Sequence, residues 1–153
     1  MRSCDKIVFS FRDGDLALDV DAVDGIVEVE RFFRVPHAPL FLLGIVTVHS
    51  EVITVLDLPL LFHKEKAESA PPYRLVVART GSATLGLSIG NSQSSFLWSE
   101  SLSDGQYRVE KGDGYISEVL ISEEREIGMI DLPSLLSLAE SAINTGGLQV
   151  QDG

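Results

Sequence analysis

Val35-Pro36-His37-Ala38-Pro39-Leu40-Phe41-Leu42-Leu43-Gly44-Ile45-Val46-Thr47-Val48-His49-Ser50-Glu51-Val52-Ile53-Thr54-Val55-Leu56-Asp57-Leu58-Pro59-Leu60 is the stretch that decides the fold. Pro36 and Pro39 exclude a helix and bend the chain. After Gly44, Val46 and Val48 lead to a two-residue polar turn, His49-Ser50, and Val52, Ile53, Val55 and Leu56 return as a second strand rich in β-branched residues. Asp57-Leu58-Pro59 then starts a helix. The carboxylate can accept from first-turn amides, and proline is tolerated where its missing N–H costs nothing. The helix is short, filled by Leu60, Leu61 and Phe62. A strand, a tight turn, a strand and a capped helix point away from an enzyme and toward a small β-barrel module that works by touching other proteins.

The flanking sequence continues in the same style. Ile7, Phe9 and Phe11 alternate with Val8, Arg12-Asp13-Gly14-Asp15 reads as a hairpin turn, and Leu16, Leu18 and Val20 resume the alternation. Val23, Ile26, Val27 and Val29 suit a strand. His63 to Pro72 is a charged, proline-terminated linker. Tyr73–Ala78 and Thr84–Ile89 read as strands around a Gly81-Ser82 turn. Gly90–Ser95 reads as a polar loop, and Phe96-Leu97-Trp98 as an apolar cluster belonging to the core or to a subdomain interface. Lys111–Gly114 is a turn, and residues 115–121 and 126–130 form a hairpin. Asp131-Leu132-Pro133 opens a second helix, Ser134 to about Asn144, and residues 146–153 form a disordered tail.

Ile53-Thr54-Val55-Leu56-Asp57-Leu58-Pro59 and Ile127-Gly128-Met129-Ile130-Asp131-Leu132-Pro133 match in character position by position, each ending a hairpin at an aspartate-led helix. Two related halves explain this better than convergence on a good helix start, because the preceding hairpin repeats too. The expected fold is mostly β: two small antiparallel β-barrel subdomains side by side, roughly 1–66 and 73–145, with short helices and a C-terminal helix.

Lys plus Arg is 12 and Asp plus Glu is 23, a net charge of −11, which repels phosphate backbones and anionic lipid. No nucleic-acid partner and no direct membrane insertion are expected. Cys4 is the one cysteine, which fits a reducing compartment. The N-terminus lacks the pattern of a signal peptide, and the apolar run between Ala38 and Val48 is well short of the ~20 residues of a membrane helix. A cytoplasmic protein is expected.

Motifs of chemistry are sparse. His37, His49 and His63 lack ligand spacing, so no metal is expected. In Asp19-Val20-Asp21-Ala22-Val23-Asp24-Gly25 the third acid falls one place late for a calcium loop. Gly81, Gly86 and Gly90 are too scattered to cradle phosphate, and the serines lack a nucleophile-elbow context. No cofactor and no catalytic residue are expected.

From Gly44 to Asp57 the pattern resembles the CheW-like domain, the adaptor of bacterial chemotaxis arrays. The family's Gly-Val-x-Asn-Leu-Arg-Gly, strand and Val-Asp-Leu fit Gly44 to Leu58 without a gap. Its Val-x-Glu-Ile falls on Val23-Asp24-Gly25-Ile26, its Pro-x-Gly approach on Pro39 to Gly44, and its closing hairpin on Gly114-Tyr115-Ile116 and Ile127 to Leu136. The resemblance implies two SH3-like subdomains with an apolar groove between them for receptor helices. It implies a scaffold bridging a chemoreceptor's cytoplasmic tip to the regulatory domain of a CheA-type histidine kinase, without a cofactor and with recruitment to membrane-receptor arrays. The contact positions it points to are Val23 and Gly25 on the early strand and Thr47, Val48, His49 and Ser50 around the turn, with Gly44, Asp57 and Asp131 structural.

The departures are specific. His49 stands where the family has arginine, Ser50 where it has glycine, Thr47 where it has asparagine and Gly25 where it has glutamate. A histidine cannot make the bidentate guanidinium contact; it either simply tolerates the turn or, if it lies at a contact surface, makes affinity pH-dependent, since an ordinary imidazole changes charge near pH ~6.5. Two alternatives therefore stand beside the adaptor: a regulatory or inhibitory module engaging one partner in a non-standard chemosensory system, and a small acidic enzyme, for which no motif speaks.

Overall fold

The computed structural model describes residues 5–63, 70–90, 92–98 and 105–145. The expected tail at 146–153 and the linker residues 64–69 lie outside the described residues. In chain order the strands are β1 (Lys6–Phe11), β2 (Gly14–Asp19), β3 (Val23–Val29), β4 (Leu42–Val48) and β5 (Glu51–Asp57), followed by α1 (Leu58–His63). Then come β6 (Tyr73–Thr80), β7 (Ala83–Ser88), β8 (Gln93–Leu97), β9 (Arg108–Lys111), β10 (Ile116–Ile121), β11 (Glu126–Ile130) and α2 (Leu132–Thr145). The fold is mostly β, with two sheets and a C-terminal helix, as expected.

The six-stranded sheet has the order β8-β1-β2-β11-β10-β9, and the five-stranded sheet β3-β6-β7-β5-β4. Hairpins pair antiparallel in both sheets, and each sheet carries one parallel seam, β2 with β11 and β7 with β5. The chain does not divide near residues 66–73, as the sequence suggested. One compact unit takes residues 1–23 and 92–132, the other 24–91 and 133–153. The reason is strand exchange. The first hairpin, β1–β2, joins the sheet made from β8, β10 and β11, while the later hairpin, β6–β7, joins β3, β4 and β5.

The echo in the sequence is a structural one. In the five-stranded sheet Leu42 pairs with Leu56, and a bulge precedes Gly44↔Val55. In the six-stranded sheet Ile116 pairs with Ile130, and a bulge precedes Glu118↔Met129. The Asp57 N–H donates to the Phe41 carbonyl at 2.8 Å, and the Asp131 N–H donates to the Tyr115 carbonyl at 2.8 Å. Asp57 is buried, and its Oδ1 accepts from the Leu60 N–H at 3.2 Å, capping α1.

Each unit has its own apolar cluster. Val8 and Ala17 pack with Leu97, Leu120, Ile127 and Met129 in one, and Val46, Ile53 and Val55 with Leu75 and Val77 in the other. The exchanged hairpins are buried on both faces: Ile7, Val8 and Phe9 in β1, and Leu75, Val76, Val77 and Ala78 in β6. Near-continuous apolar runs, rather than alternation, suit central strands of this kind. α2 buries Leu132, Leu135, Ala139 and Ala142, one stripe at helical spacing.

Three local expectations are corrected. Gln93–Leu97 is strand β8, not loop, because its backbone pairs along β1 from Lys6↔Leu97 to Ser10↔Gln93. Phe96 and Trp98 are each 57% exposed and stack at 5.8 Å, so they are not core. Val20 opens a short 3-10 turn, Val20–Ala22, rather than ending a strand.

Gly44 has φ +147°, and a Cβ there would lie 2.5 Å from the Phe33 carbonyl oxygen. Phe33 bridges Ile45 with two backbone hydrogen bonds of 2.9 and 2.8 Å, so the clash cannot relax without opening that bridge. Gly44→Ala is therefore expected to lower unfolding free energy by about 1–3 kcal/mol. Urea denaturation checks this, and wild-type stability in the variant would refute it.

Candidate functional site

The β4–β5 hairpin ends in the His49-Ser50 turn, closed by the Val48↔Glu51 pair. Both turn residues have positive φ, 50° at His49 and 68° at Ser50, the type I′ arrangement that suits the right-handed strand twist. Neither is glycine. Histidine tolerates this region better than most residues, whereas serine carries the ordinary Cβ penalty. The corresponding turn of β10–β11 is built otherwise, with the Ser122 Oγ accepting from the N–H groups of Glu124 at 3.3 Å and Arg125 at 3.2 Å.

Beside the turn lies a cleft of about 130 Å³ within the five-stranded sheet's unit. Its apolar floor comes from Val27, Val48, Ile53 and Val77, all part of or packed on that unit's core cluster. Its remaining walls are Asp24, Gly25, His49, Glu51 and Arg79. Arg79, at the end of the apolar strand β6, donates through Nε and Nη2 to Asp24 Oδ2, the Nε contact being 3.0 Å. Glu51 Oε1 stands 3.9 Å from the same Nη2. The hydrogen bond and charge of Asp24 hold the guanidinium pKa above its already high ordinary value, so it is a permanent cation.

Of the six expected contact residues, the structure gathers Gly25, Val48 and His49 around this cleft. Thr47 is exposed opposite Val52, which is 67% exposed, so the two extend the hairpin tip outside the cleft. Ser50 is exposed on the turn itself, and Val23 is half-buried at the start of β3, both outside the cleft lining. Asp24, Glu51 and Arg79 were missed. Nothing local marks them, since Asp24 and Arg79 are 55 residues apart in sequence and meet only across paired strands. Gly44, Asp57 and Asp131 sit at the bulge and at the strand–helix joints described above.

Among the described residues no three or more His, Cys, Asp or Glu side chains group as metal ligands would. No described helix is long and apolar enough to cross a membrane.

At Ser50 glycine would adopt the observed backbone without a Cβ penalty. Ser50→Gly is expected to raise stability by about 1 kcal/mol, seen as a higher urea midpoint at unchanged slope. A lowered midpoint would show that the turn carries no strain there.

Comparison with known proteins agrees with this fold. In the crystal structure of the scaffolding protein TtCheW from Thermoanaerobacter tengcongensis the same fold recurs, with a TM-score of 0.66 over 85% of this chain and 89% of that one, at 19% identity. Protein FrzA of Myxococcus xanthus is 38% identical over 82 residues, 52% of this chain. That match spans about half of the curated relative, 51% of its length. The family model of the CheW-like domain, a scaffold and adaptor family of chemotaxis signalling, matches residues 6–140. With that match covering every strand of both sheets and most of α2, the chain belongs to the CheW-like domain family.

Proposed function

We propose that this chain is a cytoplasmic, non-enzymatic scaffold that couples a chemoreceptor's cytoplasmic tip to the regulatory domain of a CheA-type histidine kinase. The observation that carries the reading is the family match over residues 6–140. It is supported by the cleft, where three of the six positions that the family pattern singles out come together. A scaffold of this kind works by surface complementarity. Exposed apolar side chains at Val52 and Phe33, 67% and 68% exposed, add contact area on the same unit. Recruitment to a receptor array would follow from the receptor contact.

A second reading is favoured by one specific feature. Gly25 and His49 stand where the family pattern has glutamate and arginine, and both line one cleft. The loss of both charged groups from one place suits a regulatory module that engages one partner.

Pull-down of the purified chain with a receptor cytoplasmic fragment and a kinase regulatory domain, singly and together, separates the readings. The scaffold is expected to bind each and to join them in one complex. Binding to neither ends the scaffold reading, and binding to the kinase domain without entry into receptor–kinase complexes selects the one-partner module.

A further inference from the structure

The cleft beside the hairpin turn has a size, a floor and a charge balance that together specify an occupant. Small-molecule sites run to about 300–1,000 Å³. At about 130 Å³ this cleft is of side-chain scale and too small for a cofactor. Its floor of Val27, Val48, Ile53 and Val77 offers an aliphatic surface continuous with the core cluster. Its mouth is open at Gly25, where a Cβ would meet nothing within 4 Å and no positive φ calls for glycine.

The rim adds the sign. Both donors from Arg79 fall on one oxygen of Asp24, Oδ2, so Oδ1 has no hydrogen bond among the described residues. The Glu51 carboxylate stands 3.9 Å from the guanidinium, beyond hydrogen-bond reach, and accepts no bond among the described residues. Two carboxylates thus share one guanidinium, and acceptor oxygens are left over above an apolar floor. An anionic occupant would meet this surplus with repulsion, because Arg79 is already engaged. A purely apolar one would desolvate the carboxylates without supplying a donor, which is unfavourable. A long cationic side chain satisfies both parts, its methylenes on the valines and its head among the oxygens. The chain's net charge of −11 attracts such a partner from a distance.

We propose that this cleft receives an arginine or lysine side chain from a partner protein, with its alkyl stem on Val27, Val48 and Val77 and its cationic head on Glu51 and Asp24. The proposal rests on the scaffold reading for the partner being a protein, while the chemistry of the occupant rests on the cleft alone.

The test uses the full chain. Amide spectra are recorded during titration with N-acetyl-arginine methylamide and, separately, with N-acetyl-norleucine methylamide, which has an aliphatic side chain without the charge. The arginine compound is expected to shift Gly25, Val48, His49 and Glu51, and Glu51→Lys to abolish those shifts. Equal shifts from both compounds, or none at these residues, overturn the proposal whether or not a scaffold role holds. With the receptor fragment or kinase domain that binds, Glu51→Lys and Gly25→Leu are each expected to weaken affinity roughly ten-fold or more, and one Arg or Lys to Glu change on the partner to restore binding to Glu51→Lys. Gly25→Leu fills the mouth without backbone strain, so it reports on the cleft even where the charge reversal disturbs Arg79. A loss with Gly25→Leu but not with Glu51→Lys identifies an apolar occupant and overturns the cationic one. A wild-type chain that binds neither partner ends the scaffold reading instead, and the spectra with the arginine compound still decide the chemistry of the cleft.

Discussion

The two parallel seams are the constraint on which the rest of the structure depends. Asp15, Leu16 and Ala17 of β2 pair with Ile127, Gly128 and Met129 of β11. Thr54, Val55 and Leu56 of β5 pair with Leu85, Gly86 and Leu87 of β7. Each seam joins a hairpin from one half of the chain to a hairpin from the other, so neither half can complete a sheet with its own strands. The clusters around Val8 and Ala17 and around Val46 and Ile53 exist only once distant segments have met. The Arg125–Asp15 ion pair, with bonds of 3.0 and 2.7 Å to one carboxylate oxygen, spans 110 residues of sequence across the first seam. Folding that relies on such non-local pairing is slow compared with folding through local hairpins.

The seams also dictate small residues. A Cβ at Gly86 would meet Val55 Cγ2 at 3.1 Å and Ile53 Cγ2 at 3.3 Å across its seam, and one at Gly128 would meet Leu16 Cδ2 at 3.4 Å across the other seam and Ile116 Cδ1 at 2.8 Å on its hairpin partner β10. Glycine in a strand interior ordinarily weakens it, so its presence here reflects close packing over the neighbouring strand. That packing holds β5 in place, and β5 carries Glu51 and Ile53 to the cleft. The charged rim is a different kind of feature. Arg79, Asp24 and Glu51 are each 43–45% exposed, and exposed pairs contribute about 0–1 kcal/mol to stability. The fold does not depend on them, so their arrangement is open to be set by what the cleft meets.

Much of the fold was legible because its signals are local. His49-Ser50 flanked by β-branched runs, Asp57-Leu58-Pro59 after a strand, and its match at Asp131-Leu132-Pro133 are each read from a few adjacent residues, and each forms the expected element. β9 was not legible, since Arg-Val-Glu-Lys at 108–111 is exposed throughout and shows no apolar alternation. β8 was hidden for a related reason: Gln93, Ser94 and Ser95 become strand by pairing with β1, not by their own preference. Of the cleft, the sequence marked Gly25, Val48 and His49 through the family pattern. It had no means to mark Arg79, a single cation at the end of an apolar run.

By itself, then, the sequence determined most of the elements, the hairpin turn at His49-Ser50, the Asp57 cap and the repeat of the strand–helix joint at Asp131, because propensity, capping and turn chemistry act over a few residues. The tertiary structure decided which strands share a sheet. Two halves of similar pattern can pair within themselves or exchange hairpins, and local sequence is nearly the same for both outcomes. Only the packed cores distinguish them. The exchange brings β3 and β6 together, sets Asp24 against Arg79 and places Glu51 beside them. The charge balance of the cleft is therefore a property of the pairing and of no single stretch of chain.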